Sequence, residues 1–540
     1  MLAKDGLLKG MSPAATISSM IIVTLFVVGG AWYPDAAANL FDSVSGYLIN
    51  HFKWYYIAIL SLMLVFCVVL AFSRFGSLRL GSNDSRPEYS LFSWFAMLFS
   101  AGMGIGLVFW SIAEPIYHFQ SNPFIAEGMT PEAAEVAMRL TFFHWGLHPW
   151  AIYVVVGLTL AYFSYRKQLP LTIRSALYPL IGQRIYGWMG HTVDILAVFG
   201  TIFGVATSLG LGVAQINTGL NQLFGMEVST SSQLILIVVI SLIATLSVLS
   251  GLGRGVKWLS VANMWFTAAI LLFLLCYGPT RYLLQSYVQG IGDYLTHVVA
   301  LSTWTDASQD SQWQSWWTVF YWAWWMSWSP FVGMFIARIS KGRTIREFIC
   351  GVLLVPTLLG MLWLTMFGST ALYLELTHTV TNAAGEVVAA VGQAGIVAAV
   401  GENVTSALYE TLSQLDGGIM GTLAAVLSTL LVALYFITSA DSGTLVVTTI
   451  LSLGNEHPPR SQRVLWSMAV AAVAAILMLA GGLKALQTAA IIAAFPFSFV
   501  ILVMMWGLYR ALHQEVPETH PVTVDSPVAI EAQVKVPPAS

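Results

Sequence analysis

The chain has 540 residues, of which 57% are hydrophobic and only 9% are charged, whereas soluble proteins have about 25% charged residues. This composition excludes a water-soluble globular protein. The formal net charge of -3 provides no basic surface for DNA or RNA, so we expect no nucleic-acid partner.

Apolar segments long enough to cross a bilayer recur along the sequence. A bilayer core of about 30 Å needs roughly 20 apolar residues per helix. The pattern predicts an all-α integral membrane protein with twelve transmembrane helices in contact with lipid. The predicted spans are centred near Val23, Met63, Gly104, Ala151, Gly204, Ile240, Ala268, Ser327, Gly360, Leu434, Val473 and Phe499.

The spans divide the chain into a long membrane domain with short ends. Residues 1–14 are predicted to be a cytoplasmic N-terminal segment, and residues 15–510 are the twelve-helix domain, which begins with two helices in 15–75. Residues 281–311 are polar and aromatic, which indicates a helix lying along the membrane surface. Residues 511–540 contain five prolines and no apolar periodicity, so we expect a disordered cytoplasmic tail.

The distribution of Lys and Arg predicts the orientation, because cytoplasmic loops are enriched in these residues. With both termini in the cytoplasm, 19 of the 23 basic residues lie on the cytoplasmic side; the exceptions are Lys53, Arg139, Arg281 and Lys484. The sequence therefore predicts a multi-pass protein of the cell inner (plasma) membrane.

The third span contains three glycines at alternate positions, Gly102, Gly104 and Gly106. Each glycine weakens a helix by roughly 1 kcal/mol relative to alanine. Two interpretations remain open. The helix is unwound at the membrane midplane beside a cavity, or Gly102 and Gly106 form a GxxxG contact in a continuous helix.

In chain order, the next unusual feature is a set of aromatic residues near span centres, whereas membrane tryptophans usually lie at the interfaces. Trp324, Trp325 and Trp328 lie in span eight, and Trp150 and Tyr153 lie in span four. Two such faces could form a cage for a quaternary ammonium group, which indole rings bind through their faces. The alternative is ordinary helix packing. His144 and His148 are interpreted as hydrogen-bonded packing residues, since no third metal ligand lies nearby in sequence.

The tenth span contains a polar cluster, Thr438 to Ser442, with Asp441 inside it. An acid in a membrane span is a functional candidate, and hydroxyl and carbonyl oxygens suit a hard cation. Equally, Thr438 and Ser439 could bond to their own helix while Asp441 lies near water.

Several of these motifs together resemble the betaine/choline/carnitine transporter family, over about residues 15–510. The motifs are GMGIG at Gly102–Gly106, WSIAEP at Trp110–Pro115, Phe143–Tyr153, Thr318–Arg338 and Thr438–Ser442. The resemblance implies a LeuT-like fold. In that fold spans 3–7 (residues 90–280) and spans 8–12 (residues 312–510) form two inverted five-helix repeats behind two extra N-terminal helices. It also implies a homotrimer.

The resemblance further implies roles for individual residues. An aromatic cage of Trp145, Trp150, Tyr153 and Trp325 would enclose the trimethylammonium group. Trp324 and Trp328 would line the route to the cytoplasm, and the backbone near Met103 and Ile105 would meet a carboxylate.

Sodium sites are also implied by the resemblance. One would use the backbone of Ser100, Met103 and Tyr435 with the hydroxyls of Thr438 and Ser439. A second would use Thr201 and Phe331, although Val205 stands where another threonine is expected. In sodium-independent exchangers an arginine replaces the first ion, at a position that aligns with Met264 here. Carriers of cationic choline tend to have an acid at the position of Gly106, so a neutral glycine favours a zwitterion.

These implications lead to one functional expectation. The chain is expected to be a secondary transporter that imports a zwitterionic methylammonium compound, most simply glycine betaine, with sodium as the coupling ion and no cofactor. The alternatives are a choline, carnitine or dimethylsulfoniopropionate transporter, by uniport, proton coupling or exchange. A betaine-responsive channel or receptor is an alternative of another class. No catalytic constellation supports an enzyme.

Overall fold

A computed structural model describes residues 2–102, 104–250, 255–309, 311–382 and 386–515. Within these residues the protein is helical apart from one short two-stranded hairpin. The hairpin is a small departure from the predicted all-α fold. It pairs β1 (Thr379–Thr381) with β2 (Val387–Ala389) in antiparallel register.

Two helices precede the rest, α1 (Pro13–Trp32) and α2 (Pro34–Phe72). Each has proline in its first turn, where the missing N–H costs no hydrogen bond. Both helices keep many large apolar side chains exposed on one face, as expected for helices that contact lipid.

The glycine-rich third span is broken into α3 (Leu91–Gly102) and α4 (Ile105–Gln120). Gly104 is extended, with φ -156° and ψ -177°, and forms the N-cap of α4 without any side-chain cap. The chain is therefore not helical at Gly104, as the unwound interpretation expects. Met103 lies outside the described residues.

The fourth and fifth spans contain α5 (Pro131–Trp145), α6 (Leu147–Ala161) and α8 (Trp188–Phe224). Gly146, with φ -92° and ψ -131°, separates α5 from α6. A π-helical turn at Tyr162–Arg166 follows α6. A short helix, α7 (Tyr178–Ile181), lies between two 3₁₀ turns before α8.

The next helices are α9 (Thr230–Ser250), α10 (Gly255–Tyr277) and α11 (Thr280–Thr303). The axes of α10 and α11 differ by 110°. The segment predicted to lie along the membrane surface therefore forms a separate helix that turns sharply away from the span before it.

The eighth and ninth spans follow a single turn, α12 (Gln312–Gln314), and a π-helical turn at Ser315–Val319. Their helices are α13 (Phe320–Ile339), α14 (Ile345–Leu364) and α15 (Thr370–Thr377). Another π-helical turn, Thr365–Ser369, joins α14 to α15.

Beyond the hairpin lie α16 (Ile396–Glu402), α17 (Ser406–Leu415), α18 (Ile419–Leu451) and α19 (Arg460–Glu515). At 56 residues, α19 would be about 84 Å long if straight, far more than a bilayer core. Gly481 and Gly482 have non-helical backbone angles and divide it by a kink. It also continues five residues past the predicted span end, while residues 516–540 of the predicted tail lie outside the described residues.

Among the described residues, eight helical segments are long and apolar enough to cross a membrane. The number rises to nine if the bent pair of α10 and α11 is one span. The core lies around α8, which packs against α18, α19 and α13. Helix α13 in turn packs against α6 and α19, so the tryptophan-rich helix is enclosed by other helices.

Candidate functional site

The tryptophans of α13 form one stacked and hydrogen-bonded face. The rings of Trp324 and Trp325 lie 4.8 Å apart and 13° from parallel, and Phe320 stacks on Trp324 at 5.4 Å. Trp325 Nε1 donates to the His144 carbonyl at 3.0 Å. Trp328 Nε1 donates to the Gly204 carbonyl of α8 at 2.8 Å. These contacts restrict the rings to single orientations.

Trp145, at the end of α5, joins this face. Its ring lies 4.8 Å from Trp325 at 71°, and 5.5 Å from Tyr321 at 66°. Edge-to-face pairs of this kind place the electron-rich face of one ring against the edge of another. Two members of the predicted aromatic cage, Trp145 and Trp325, are therefore in direct contact.

The other two cage members, Trp150 and Tyr153, are on α6 and pair with each other at 5.4 Å and 80°. Within the described part of the chain, neither makes a ring contact with the tryptophans of α13. Trp145, Trp150, Trp325 and Trp328 keep exposures of 6–8%, whereas Trp324 has 0%. All five rings are therefore buried, and Trp324 is fully packed.

The start of α4 lies against the same tryptophans. A Cβ on Gly106 would be 2.2 Å from Trp324 Cη2, and a Cβ on Gly104 would be 3.4 Å from Trp328 Cη2. The intervening Ile105 packs on Gly212 of α8. The first N–H groups of a helix have no acceptor within it, so an uncapped, electropositive helix end adjoins the aromatic face.

A buried carboxylate, which the sequence analysis did not single out, lies behind this face. Glu114 Oε2 accepts hydrogen bonds from Trp145 Nε1 at 2.8 Å and from the Tyr321 hydroxyl at 2.5 Å. Its Oε1 lies 2.6 Å from His144 Nδ1 and 3.5 Å from His118 Nε2. We call these five residues the carboxylate hub. An acid in an apolar span was a sufficient sequence signal for Glu114.

His144 and His148 are held by hydrogen bonds rather than arranged for a metal ion. The 2.6 Å separation of Glu114 and His144 is shorter than the roughly 3.3 Å between neighbouring ligands of a tetrahedral zinc site. His144 Nε2 also meets the Thr318 hydroxyl at 3.0 Å, and His148 Nε2 meets the Ser302 hydroxyl at 2.9 Å. Both histidines thus have the packing role expected from the sequence.

The residues predicted for the first sodium site lie around α18. The Thr438 hydroxyl donates to the carbonyls of Leu434 and Tyr435 at 3.0 and 3.2 Å. The Tyr435 hydroxyl meets Thr267 of α10 at 3.2 Å. Ser439 is half-buried one residue further along the helix. Ser100 is in α3, but its side chain and all of Met103 lie outside the description.

The other predicted ion-site residues have local partners. The Thr201 hydroxyl donates to the Ala197 carbonyl at 2.7 Å, and Phe331 packs edge-on against Trp328 at 5.5 Å. Val205 fills a close approach of α8 and α18, because a Cβ on Gly443 would lie 2.9 Å from its Cγ2. A threonine at position 205 would therefore place its side chain against Gly443 of α18.

Two further residues have clear placements. Asp441 is buried and paired with Arg463 of α19 at 2.9 Å, so the acid of the tenth span has a basic partner. Met264 is 68% exposed on the outer face of α10, while Asn263 and Thr267 are buried on the same helix. A side chain at position 264 therefore points away from α18.

Comparison with known proteins identifies the family. The family model for BCCT, the betaine/carnitine/choline family transporter, matches residues 14–517. The chain belongs to the betaine/carnitine/choline transporter family. It is therefore a transporter and not an enzyme, and its several apolar helices make it a multi-pass membrane protein.

Several related transporters align with almost the whole chain. A glycine betaine transporter of Acinetobacter baylyi (strain ATCC 33305 / BD413 / ADP1) is 46% identical over 93% of this chain and 73% of its own length. The glycine betaine transporter OpuD of Bacillus subtilis (strain 168) is 44% identical over 92% of this chain and 93% of its own length. The osmo-dependent choline transporter BetT2 of the same Acinetobacter strain is 42% identical, over 92% of this chain and 71% of its own length.

Proposed function

We propose that this transporter imports glycine betaine, a zwitterion with a trimethylammonium head and a carboxylate, together with sodium. The observation that supports this most directly is the contact of the α4 start with the tryptophan face of α13. A surface for an onium head and an electropositive helix end lie side by side there. These two groups match the two charges of a small zwitterion.

The tryptophan face suits the trimethylammonium group of glycine betaine, and the start of α4 suits its carboxylate. A quaternary ammonium has no N–H to donate, so aromatic faces bind it better than hydroxyls or amides do, at about 2 kcal/mol or more when desolvated. A carboxylate is stabilised by free N–H groups at a helix N-terminus. The backbone near Met103 and Ile105 would provide those donors, and Trp145, Trp150, Tyr153 and Trp325 would surround the head.

The packing at Gly106 favours a zwitterion over cationic choline. An acidic side chain at this position would run into Trp324, since even a Cβ would approach its ring to 2.2 Å. Without that acid, the site lacks the added negative charge that the resemblance associates with choline carriers. Two of the similar proteins are glycine betaine transporters, which points in the same direction.

Sodium coupling is proposed on the oxygen atoms around α18. The Thr438 hydroxyl and the Tyr435 carbonyl lie within 3.2 Å of each other, and Ser439 adds a second hydroxyl. Hard cations prefer such oxygen ligands. Each positive charge moved inward gains about 2.3 kcal/mol per 100 mV of membrane potential. For the second site we propose only Thr201 and Phe331 as contributors, since Val205 supplies no oxygen.

We also propose twelve spans arranged as two inverted repeats. Eight segments of the described chain are long and apolar enough to cross a membrane. Four more spans would come from the broken third span, α10, α13 and the division of α19 into two spans at its kink. In residues 90–280, the interrupted fourth span and the long α8 are separated by α7 and its flanking turns. In residues 312–510, the interrupted ninth span and the long α18 are separated by α16 and α17. This matching order supports the repeat.

The proposed setting is a homotrimer in the plasma membrane with both termini in the cytoplasm. The positions of 19 of 23 basic residues support the orientation. Helix α11 supports the trimer, because it exposes a row of apolar side chains that a neighbouring subunit could cover. These are Leu284, Val288, Leu295 and Val299, each at least 55% exposed.

Uptake by the purified carrier in proteoliposomes tests the proposal. Labelled glycine betaine should accumulate above its external concentration with sodium outside and should not accumulate when potassium replaces sodium. Unlabelled choline, carnitine and dimethylsulfoniopropionate should inhibit more weakly than unlabelled betaine. Failure of betaine to inhibit would refute the substrate, and equal uptake in potassium would refute sodium coupling.

A further inference from the structure

We infer that Glu114 is a specificity-determining positioning residue that makes the aromatic cage select a positively charged head over a neutral head of the same shape. Its carboxylate fixes two rings of the site and supplies a negative charge behind them. This inference rests on the proposed function, because it concerns the same site and the same substrate class.

The donor groups around Glu114 suit an ionised carboxylate. A carboxylate has about four lone-pair directions, and four donor groups surround this one. The Trp145 indole N–H can only donate, so Oε2 must accept. Trp313 Nε1 donates weakly to His118 Nδ1 at 3.4 Å, which leaves the proton of neutral His118 on Nε2, facing Glu114.

His144 completes the same arrangement. In the tautomer with its proton on Nδ1, His144 donates to Glu114 Oε1 and accepts through Nε2 from the Thr318 hydroxyl. With His144 in this tautomer, three groups donate hydrogen bonds to an ionised Glu114, and His118 Nε2 lies 3.5 Å from it without forming a hydrogen bond.

Among the described residues, no Lys or Arg side chain forms an ion pair with Glu114. Glu114 is fully buried, and within the described residues its ion-pair contacts are confined to His118 and His144. A buried charge normally needs a partner of opposite sign. The onium head of a bound substrate would supply that positive charge from the other side of Trp145.

Trp145 is the connection between the carboxylate and the cage. Its N–H points to Glu114, while its ring meets Trp325 at 4.8 Å. A hydrogen bond to an anion shifts electron density into the indole ring. A more electron-rich ring face attracts a cation more strongly, so Glu114 acts both directly through its charge and through the ring.

A pair of ligands that differ only in the charge of the head separates this role from a purely structural one. Glycine betaine carries a trimethylammonium group, and 3,3-dimethylbutanoate carries a neutral tert-butyl group of the same shape. Inhibition constants of both compounds against labelled glycine betaine uptake give a charge-preference ratio. The full chain in proteoliposomes is used, with Glu114→Gln compared with the unaltered protein.

Glu114→Gln should weaken inhibition by glycine betaine by about tenfold or more, since a nearby charge in a site of low dielectric is worth at least that much. Inhibition by the neutral compound should change less than about threefold by the same reasoning. The ratio should therefore fall. Glu375→Gln is the matched control, because Glu375 is also fully buried but bonds to the N–H groups of Ala394 and Val397 near the hairpin. Its ratio should equal that of the unaltered protein.

A second pair of variants covers the case in which Glu114→Gln does not fold. Tyr321→Phe removes one hydrogen-bond donor from the hub and keeps the charge of Glu114. Glu114→Gln in the Tyr321→Phe background then removes the charge, and the amide group of glutamine faces one donor fewer. The ratio should fall only in the double variant. Equal loss of inhibition by both ligands, in either pair, would overturn the inference. If the unaltered protein does not take up glycine betaine, the proposed function fails instead.

Discussion

Gly106→Ala tests whether the close packing of α4 on Trp324 shapes the substrate site. The added methyl group would lie 2.2 Å from Trp324 Cη2, 3.0 Å from Cζ2 and 3.1 Å from Cζ3. Carbon atoms pack at about 3.5–4.0 Å. The end of the indole ring must therefore retreat by more than about 1 Å, or α4 must move.

The ring has no free space into which it can retreat. Trp324 has no exposed surface, and it is stacked between Trp325 at 4.8 Å and Phe320 at 5.4 Å. Overpacking of this kind costs about 1–3 kcal/mol. Because Trp325 belongs to the aromatic cage, the displacement should pass directly to the substrate. We expect the half-saturation concentration for glycine betaine to rise roughly tenfold, which corresponds to about 1.4 kcal/mol.

Initial rates of labelled betaine uptake against concentration measure this effect, and the thermal transition of the purified protein reports any loss of stability. Gly104→Ala is the matched control. Its methyl group would meet Trp328 at an ordinary 3.4 Å, and the extended backbone of Gly104 suits alanine. Half-saturation in this variant should stay within about threefold of the unaltered value, as expected for a contact without overlap.

The combination of Gly106→Ala with Trp324→Phe should recover part of the affinity, because phenylalanine lacks the outer indole atoms that collide. Unchanged half-saturation and unchanged thermal stability in Gly106→Ala would refute the packing argument. So would a double variant whose losses simply add, since residues in contact should show coupling.

Three further predictions concern other contacts. Trp325→Ala should raise the half-saturation for betaine roughly tenfold or more with little effect on that for sodium, while Thr438→Ala should do the reverse; equal effects would contradict the assignments. Arg463→Gln leaves Asp441 buried without its partner and should destabilise the protein by about 3–5 kcal/mol. A thermal transition lowered much less would argue against a structural ion pair. Gly333→Ala puts a methyl group 2.6 Å from a valine of α6 and should cost about 1–3 kcal/mol, again measured by thermal unfolding.

Composition and periodicity predicted most of the architecture, because a membrane span is a local property of the sequence. For the third span they left two interpretations open, because three alternate glycines weaken a helix but also allow a GxxxG contact in a continuous one. The length of α19 was not predictable in this way. Its kink depends on the backbone angles of Gly481 and Gly482, and a pair of glycines does not by itself specify them.

Contacts between distant elements were harder to predict. Helical spacing placed Trp324, Trp325 and Trp328 on span eight, but it could not show that Trp324 packs on Gly106 or that Trp325 bonds to the His144 carbonyl. The same limit applies to Glu114, whose partners come from three separate helices. Asp441 was left open between two interpretations because its partner, Arg463, is 22 residues away.

The π-helical turn at Ser315–Val319 has a consequence for how sequences of this kind diverge. A π turn contains one residue more than the α-helical turn it replaces, and this one immediately precedes α13. Deletion of that single residue would rotate the following helix by about 100° relative to the preceding segment, unless the connection absorbed the change. A one-residue deletion at this point would thus change the direction of every indole side chain of α13 without removing any of them.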